Sequence, residues 1–406
     1  MSLFRKLSSK KKVRGPRTAT THDEPQDEQQ EQQKAKQQGQ DQPDQAEGAD
    51  DDGMESSEES SPGQSRLRRT PTKKGVFRRV FSFKRNTSTT AFEPAARKDE
   101  DVDAMPTMEV AWTTDLGFHH EANEDKATII EDLFKEFPPK HEHEYNGTPQ
   151  QKLSVFAVFD GHGGYEASEW AQTHLHQHLS DLLWRSNYDD KITDALHHSF
   201  KATEDGFCEW AKKKKNMAGS CATCVVIKGR KVFCGNAGDS KAMIIRQVRK
   251  QTPKAADRSD LNHRHGSHLK SERVRIKKAG GRIAPDGSVY GVLFPTRGFG
   301  DIDVKADGRP VVICTPDGAG FDKWSPYVLD TDTVSYLVIA SDGLWDFVSD
   351  KDVEALTMQY QSPKEIAVEL TKEARMGGSE DDITIIVVRL SFAESTMTSH
   401  LPTVVE

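Results

Sequence analysis

The sequence has few cysteines and no long apolar run, and both scarcities exclude classes of protein. Five cysteines among 406 residues do not make a disulfide framework, so we expect reduced thiols in an intracellular protein. The longest apolar runs, 153–159 and 383–388, are far below the ~18 residues that would span a bilayer. The apolar run that would mark a secretory signal peptide is also missing after the basic N-terminus.

Positive charge is scarcer than negative charge, since 56 Lys and Arg face 64 Asp and Glu for a net charge of −8. A net acidic chain is not a general nucleic-acid binder, so no nucleic-acid partner is expected. Apolar residues make up 34% of the chain, against about 45–50% in ordinary globular proteins. We therefore predict a chain that is part globule and part disorder.

The first hundred residues carry their charge in blocks. Residues 1–22 and 61–90 hold Lys and Arg without acids, whereas residues 23–60 hold fourteen Asp and Glu. Such blocks bury too little apolar surface to offset the entropy of ordering the chain. The predicted organisation is a disordered tail over 1–105, a globule over 106–392 and a short C-terminal tail over 393–406.

Segment 73–85 of the tail mixes basic and apolar residues. Phe77, Val80 and Phe81 fall at helical spacing among its Lys and Arg. A basic amphipathic turn of this kind binds an anionic membrane surface or an acidic partner. The alternative is a solvated basic tail or a nuclear-import patch. We expect a cytoplasmic or nuclear location, and rank a mitochondrial one lower because Lys rather than Arg dominates residues 1–22.

Short apolar segments bounded by Gly, Asp or Asn predict strands, and helical periodicity predicts helices. The predicted strands are 108–113, 126–130, 153–159, 221–227, 231–234, 241–245, 311–314, 336–340 and 383–390. The predicted helices are 165–184, 191–213, 351–360 and 363–375. Strands and helices come in groups rather than in strict alternation, which predicts an α+β fold with antiparallel sheets. The polar stretch 132–152 is interpreted as a surface loop.

Acidic residues recur where the predicted strands begin or end. They are Glu124, Asp125, Asp160, Asp239, Asp342, Asp346 and Asp381. Carboxylates delivered to one edge repel one another and retain protons, unless a divalent cation neutralises them. Their hard oxygen ligands suit Mg²⁺ or Mn²⁺. A single Asp-Gly pair is more often a plain turn, but five acidic strand ends in one globule favour a shared metal centre.

Seven motifs, in order along the chain, carry a resemblance to a known family. They are VFDGHGG (158–164), GSCATCVVI (219–227), GNAGDSKAMI (235–244), RVRIKKAGGRI (273–283), TRGFGDIDVK (296–305), VIASDGLWDFVS (338–349) and SEDDITIIVV (379–388). Together they resemble the PPM family of metal-dependent protein phosphatases, the type 2C serine/threonine phosphatases, over about 108–391. The resemblance implies a four-layer α-β-β-α sandwich of two antiparallel sheets flanked by helices. It also implies hydrolysis of phosphoserine and phosphothreonine in protein substrates, and we expect a monomer.

The resemblance further implies a role for single residues. Two Mg²⁺ or Mn²⁺ ions, with a weaker third ion beside Asp239 and Asp346, would be held by Glu124, Asp125, Asp160, Gly161, Asp239, Asp342, Asp346 and Asp381. Asp160 would bridge two ions that share one water and lower its pKa, so that a hydroxide attacks phosphorus. His162 would be the general acid that protonates the leaving alkoxide. Arg297, after a variable flap near 246–295, would bind substrate.

His120 departs from the family pattern. An arginine that grips the substrate phosphate usually stands at this position, four residues before the Glu of the Glu-Asp pair. A histidine lacks the bidentate fork of a guanidinium and is only partly charged at neutral pH. We therefore expect weaker phosphate binding by His120, unless another cation substitutes. The alternative function is a catalytically weak relative that uses the fold for binding or regulation.

Two other patterns resemble reactive sites. Cys221-x-x-Cys224 resembles a redox or zinc pair but lies in a strand pattern, so buried thiols are predicted. His174 and His178 stand one helical turn apart, and we interpret them as exposed or capping side chains rather than as metal ligands. The Cys-x5-Arg spacing of a cysteine-dependent tyrosine phosphatase occurs once, at Cys224 and Arg230. Because Cys224 lies in a predicted strand whose thiols we expect to be buried, this class of enzyme is not favoured.

Overall fold

The computed structural model describes residues 104–138, 151–185, 191–247, 256–305, 308–321 and 324–393. The chain divides into two units, Met1–Ala91 and Phe92–Glu406, and every described residue belongs to the second. Segment 73–85 lies outside the described residues, so its predicted role stays a prediction, as do the predicted domain boundaries. Within the described part of the chain, every helix is too short or too polar to cross a membrane.

The described residues form eleven strands and seven helices. The strands are β1 (Thr107–Asp115), β2 (Lys126–Ile130), β3 (Leu153–His162), β4 (Gly219–Lys228), β5 (Lys231–Ala237), β6 (Lys241–Gln247), β7 (Ala256–Asp260), β8 (Phe299–Gly300), β9 (Tyr327–Val328), β10 (Val334–Ala340) and β11 (Ile383–Ser391). The helices are α1 (Leu133–Glu136), α2 (Glu166–Arg185), α3 (Ile192–Lys214), α4 (Lys270–Lys278), α5 (Asp342–Trp345), α6 (Asp350–Gln359) and α7 (Pro363–Met376).

The strands pair into two antiparallel sheets. The first sheet has the order β1-β11-β10-β6-β7, and the second has the order β2-β3-β4-β5-β9 with β8 paired to β4. The central strands are apolar along their length because both of their faces are covered. Continuous apolar runs such as 153–159 and 336–340 are the sequence signature of this double burial.

Three apolar interfaces hold the layers together. Phe156 of the second sheet and Ile339 of the first pack into the interface between the sheets. Helices α2 and α3 cover the outer face of the second sheet through side chains such as Phe200. Helices α6 and α7 cover the outer face of the first sheet through side chains such as Leu370. Each such side chain contributes about 1.5–3 kcal/mol when fully buried. The predicted four-layer α-β-β-α sandwich is confirmed.

Most predicted elements are present, and the main differences fall in three places. The predicted strand 311–314 is wrong, because these residues are irregular and pair only through an isolated bridge between Ile313 and Arg297. Their apolar side chains instead fill a small core beneath the flap, where Val311 packs with Ile276 of α4. The flap itself contains β7 and α4, and the predicted loop 132–152 contains α1. Sequence periodicity missed α4 because it buries only two side chains, Glu272 and Ile276.

Candidate metal centre

Five acidic segments meet at one end of the two sheets, and strand register explains why. In an antiparallel pair, the end of one strand lies beside the start of its neighbour. Phe159 of β3 is opposite Lys126 of β2, and Ala340 of β10 is opposite both Ile385 of β11 and Lys241 of β6. Asp160 near the end of β3 and Asp342 after β10 therefore lie near the acids that precede β2, β6 and β11.

Asp160, Asp239 and Asp342 form the tightest part of this acid cluster. Each offers one carboxylate oxygen, and these oxygens lie within 4.8 Å of one another. The backbone N–H of Asp342 and the hydroxyl of Ser240 both donate to Oδ2 of Asp160, at 3.2 Å. Asp160 comes from β3 of the second sheet, Asp342 from the start of α5 just after β10 of the first sheet, and Asp239 from the β5–β6 connection between the sheets. The three side chains thus join both halves of the sandwich.

Two glycines allow the acidic segments to approach this closely. A Cβ atom on Gly161 would lie 2.3 Å from the carbonyl oxygen of Glu124, and one on Gly343 would lie 2.1 Å from the carbonyl oxygen of Asp382. Any side chain at either position would force the segments apart. The glycine that follows Asp160 and the one that follows Asp342 are therefore needed to bring the acids together.

Burial and mutual repulsion raise the pKa values of the central carboxylates. Loss of hydration raises the pKa of Asp160 well above its usual range, and the charges of Asp342, Asp125 and Asp239 raise it further. Burial also raises the pKa of Asp342, to which the charges of Asp239 and Asp381 add. Raised pKa values of this kind mean that the ionised carboxylates repel one another, and a nearby positive charge would stabilise them.

The outer acids surround the trio. Asp125 is buried, and its Oδ2 accepts a 2.7 Å hydrogen bond from the Ser341 hydroxyl, which also accepts one from the Thr384 N–H. Burial raises the pKa of Asp125 to about 7 despite that hydrogen bond. Burial likewise raises the pKa of Glu124 and of Asp381. Asp381 lies outside the tight trio, although its charge acts on the central carboxylates.

Asp382 is a site residue that the sequence did not reveal. Its side chain is buried, and its carboxylate accepts hydrogen bonds from the backbone N–H of Gly117 and of Glu124, both at 2.7 Å. The same carboxylate lies 2.9 Å from Nδ1 of His120. Asp382 therefore fixes the loop that presents Glu124. The only signal in the sequence was the pair Asp381-Asp382 before β11. In an extended chain, neighbouring side chains point in opposite directions, so only one of the two can face the centre of the acid cluster.

His162 is held by a carboxylate of its own. Its Nε2 lies 2.9 Å from Oδ1 of Asp301. Gly219, its register partner on β4, leaves room for this pair, since a Cβ there would lie 2.2 Å from Nε2. Burial alone lowers the pKa of His162, but the charge and hydrogen bond of Asp301 outweigh it, so the pKa is raised. The site thus favours a protonated imidazole.

The two residues predicted to bind substrate are engaged within the protein. His120 faces Asp382 and its side chain is 21% exposed. The guanidinium of Arg297 donates to Glu272 at 2.7 Å and to the Thr315 carbonyl at 2.9 Å, which leaves the side chain 14% exposed. Arg297 therefore ties the flap to its support. Substrate binding by either residue stays a prediction.

Arg264 is a cation at the acid cluster that sequence reasoning did not single out. Its Nη2 lies 2.5 Å from Oδ1 of Asp346, and its Nε donates to the carbonyl oxygen of Asp239. The side chain reaches the cluster from the flap. The polar run that surrounds it in the sequence gives no sign of which side chain would face the acids.

The residues present fit a divalent cation. The donor set consists of hard oxygens, the charges that raise the pKa of Asp160 are those of other carboxylates, and glycines allow the ligand-bearing segments to meet. Beside these groups stands His162, whose pKa burial lowers but Asp301 raises by more, which favours the protonated imidazole that is able to donate a proton. Metal-assisted hydrolysis is the chemistry that this combination supports.

The other patterns that resembled reactive sites are structural. Cys221 and Cys224 are buried, as predicted, and Sγ of Cys221 donates to Oδ1 of Asp239 at 3.1 Å. Nδ1 of His174 lies 2.8 Å from the Trp170 carbonyl, a bond within its own helix. This contact is compatible with a structural role for His174, and the absence of a metal site there stays a prediction.

Comparison with known proteins gives four likenesses. The family model for protein phosphatase 2C matches residues 128–383. The chain is 30% identical over 289 residues to probable protein phosphatase 2C 69 of Arabidopsis thaliana, covering 70% of this chain and 73% of that protein. It is 32% identical over 241 residues to probable protein phosphatase 2C 45 of Oryza sativa subsp. japonica, covering 59% and 77%. The crystal structure of serine-threonine phosphatase 2C from Toxoplasma gondii has the same fold, with a TM-score of 0.55 at 21% identity over 72% of this chain and 98% of that one.

Proposed function

The chain belongs to the protein phosphatase 2C family, and from that premise we propose that its acid cluster binds Mg²⁺ or Mn²⁺ to hydrolyse phosphoserine and phosphothreonine in proteins. The family is metal-dependent and acts on phosphorylated protein substrates. The observation that carries the proposal is the trio of Asp160, Asp239 and Asp342, whose oxygens lie within 4.8 Å of one another. Uncompensated carboxylates at such distances need a cation.

We assign the ion-binding groups from the acid cluster. Asp160 would be the central ligand, because it accepts a hydrogen bond from the Asp342 N–H and has the carboxylates of Asp239 and Asp342 as neighbours. The Gly161 carbonyl, Asp342 and Asp381 would complete the donor set. Glu124 and Asp125 lie outside the trio, and they would hold water that an ion retains. Two ions per domain suit this number of oxygens.

When bound, the ions supply an activated water as the nucleophile and positive charge for the phosphoryl oxygens. The residues of the chain do the remaining work. Asp301 holds Nε2 of His162, which leaves Nδ1 as the proton donor to the leaving serine or threonine oxygen. The oxygen–phosphorus bond breaks as the proton reaches that oxygen, so no free alkoxide is released. Asp382 accepts a hydrogen bond from the Glu124 N–H and so holds Glu124 in position beside the acid cluster.

Release of phosphate from a phosphothreonine peptide by the full chain tests the proposal. We expect activity with Mn²⁺ or Mg²⁺, loss of activity with chelator, and recovery when metal is restored. Asp160→Asn is expected to be inactive, whereas Asp257→Asn, at an exposed aspartate of β7, is a matched control that stays active. Activity that survives chelation, or that is absent with both metals, would refute the proposal.

A catalytically weak relative is the second candidate. His120 favours it, because the side chain at the expected phosphate-gripping position pairs with Asp382. Phosphopeptide binding without phosphate release in the same assay would support this second function.

A further inference from the structure

The flap places a permanent positive charge against one side of the acid cluster. Arg264 bonds to the carboxylate of Asp346 through Nη2 and to the Asp239 backbone through Nε. A guanidinium stays protonated at any physiological pH. Charge is therefore already supplied on the side of the cluster that Asp239 and Asp346 form.

The backbone on both sides of Arg264 is fixed. Oδ1 of Asn262 accepts a 2.8 Å hydrogen bond from the Ala242 N–H, and the His265 N–H donates to the Gly238 carbonyl at 2.7 Å. Nδ1 of His265 in turn accepts from the Gly238 N–H. The flap segment thus runs along the β5–β6 connection and holds Arg264 in place. The position of the guanidinium is therefore fixed by the hydrogen bonds of its own side chain and of the neighbouring backbone.

The two sides of the cluster differ in charge. The carboxylate of Asp160 has those of Asp239 and Asp342 as neighbours, with oxygens within 4.8 Å of one another. Arg264, in contrast, donates a 2.5 Å hydrogen bond to the carboxylate of Asp346. A divalent ion is therefore needed most on the Asp160 side. On the Asp346 side, an ion would have to displace an arginine that is held by two hydrogen bonds.

We propose that Arg264 takes the place of a third divalent ion, so that this chain holds two ions and not three. The inference rests on the proposed function, since it presumes that the acid cluster binds divalent ions. It also gives a reason for the flap to pack against the β5–β6 connection, because that packing carries the arginine to the acids. Arg264 is accordingly an electrostatic and positioning residue.

The number of Mn²⁺ ions bound per full chain, measured by isothermal titration calorimetry at fixed salt, tests the inference. We expect two tight ions in the wild type and one more in Arg264→Gln, since the substitution frees Asp346. Arg264→Lys keeps the charge and is expected to bind two. Arg273→Gln is the matched control in the same flap, because Arg273 bonds to the carbonyls of Ser267 and His268 and not to the acids. The control is expected to bind two ions.

A double variant removes the ambiguity of a damaged fold. Arg264→Gln with Asp346→Asn is expected to return to two ions, because the freed carboxylate is gone. All variants carry the same acidic segment 23–60, so weak binding there cancels from the differences. Three ions in the wild type would overturn the inference, as would two ions in an Arg264→Gln variant with wild-type circular dichroism. Failure of every variant to bind Mn²⁺ would instead overturn the proposed function and the inference with it.

Discussion

The pKa values of partly or fully buried carboxylates are shifted in opposite directions in two regions of this molecule, the acid cluster and the flap. Asp160 in the acid cluster is half-buried, and burial together with its acidic neighbours raises its pKa well above the usual range. Glu272 in the flap is more deeply buried, with only 1% of its surface exposed, yet its pKa is lowered to about 2. Depth of burial therefore does not decide the state of a carboxylate.

Neighbouring charge explains the difference. Burial alone would raise the pKa of Glu272, but hydrogen bonds from Arg297 and Arg275, each at 2.7 Å, outweigh it. The Thr296 hydroxyl adds a third bond at 2.9 Å. The charge of the buried Glu272 is thus neutralised by two arginines of the same chain. Within the described residues, the carboxylate of Asp160 lacks such partners and can be neutralised by a bound cation. Uncompensated charge, and not burial, distinguishes a ligand site from a structural ion pair.

The largest effect is expected from Asp160→Asn, which removes a charge from the uncompensated region. We expect kcat/KM on a phosphothreonine peptide to fall on the order of 10³-fold or more, because an amide replaces the shared metal ligand. In chelator at pH 7, the same variant should be more stable than the wild type. A raised carboxylate pKa means that folded protein binds more protons than unfolded chain, so stability falls as pH rises from about 4. Equal stability of the two proteins in chelator would contradict this.

The next effect concerns the compensated region. A pKa of about 2 in place of 4.5 for Glu272 corresponds to about 3 kcal/mol of stability at neutral pH. This stability is present above pH ~4.5 and is lost as pH falls toward 2. Glu272→Gln should therefore lower the free energy of unfolding in urea by about that amount at pH 7, and flatten its fall in acid. Glu365→Gln, at an exposed position in α7, should change neither, and a stable Glu272→Gln protein would refute the ion-pair account.

Asp301→Asn should shift a pH profile. The raised pKa of His162 depends on the Asp301 carboxylate, and the general acid is active while protonated. Activity should fall as pH rises through that pKa, and loss of Asp301 should move the fall to lower pH. At pH 8 we expect kcat to drop about tenfold or more, within the range of general-acid contributions. A variant whose profile keeps its wild-type position would show that Asp301 does not set the proton on His162.

The smallest effect is expected from His120→Arg. A guanidinium forms bidentate bonds to phosphate that an imidazole cannot form, so KM for the phosphopeptide should fall by a few-fold. Burial lowers the pKa of His120, but its hydrogen bond to Asp382 outweighs that and leaves it raised. The KM of the wild type should therefore rise with pH, while that of the arginine variant should not. An unchanged KM would exclude a phosphate-binding role for this position.

The two regions also differ in how far the sequence predicted them. Strands such as β3 and β10 were predictable because both of their faces are buried, and the acids at their ends followed directly. Arg264 was not predictable, since its partner Asp346 is 82 residues away and only tertiary packing brings them together. The pairing of Asp382 with His120 spans 262 residues for the same reason. Helix α4 was not predicted because its sequence has no apolar stripe: one of its two buried side chains, Glu272, is charged.

Thermal unfolding of the full chain at increasing Mn²⁺ tests the central claim most directly, namely that uncompensated carboxylates at the sheet ends hold divalent ions. Ligand at 100 times its Kd adds about 2.7 kcal/mol of stability to the state that binds it. The account predicts that the wild-type melting temperature rises with Mn²⁺ and returns with chelator, while Asp160→Asn responds weakly. A wild-type melting temperature that ignores Mn²⁺, or an Asp160→Asn protein that rises equally, would contradict it.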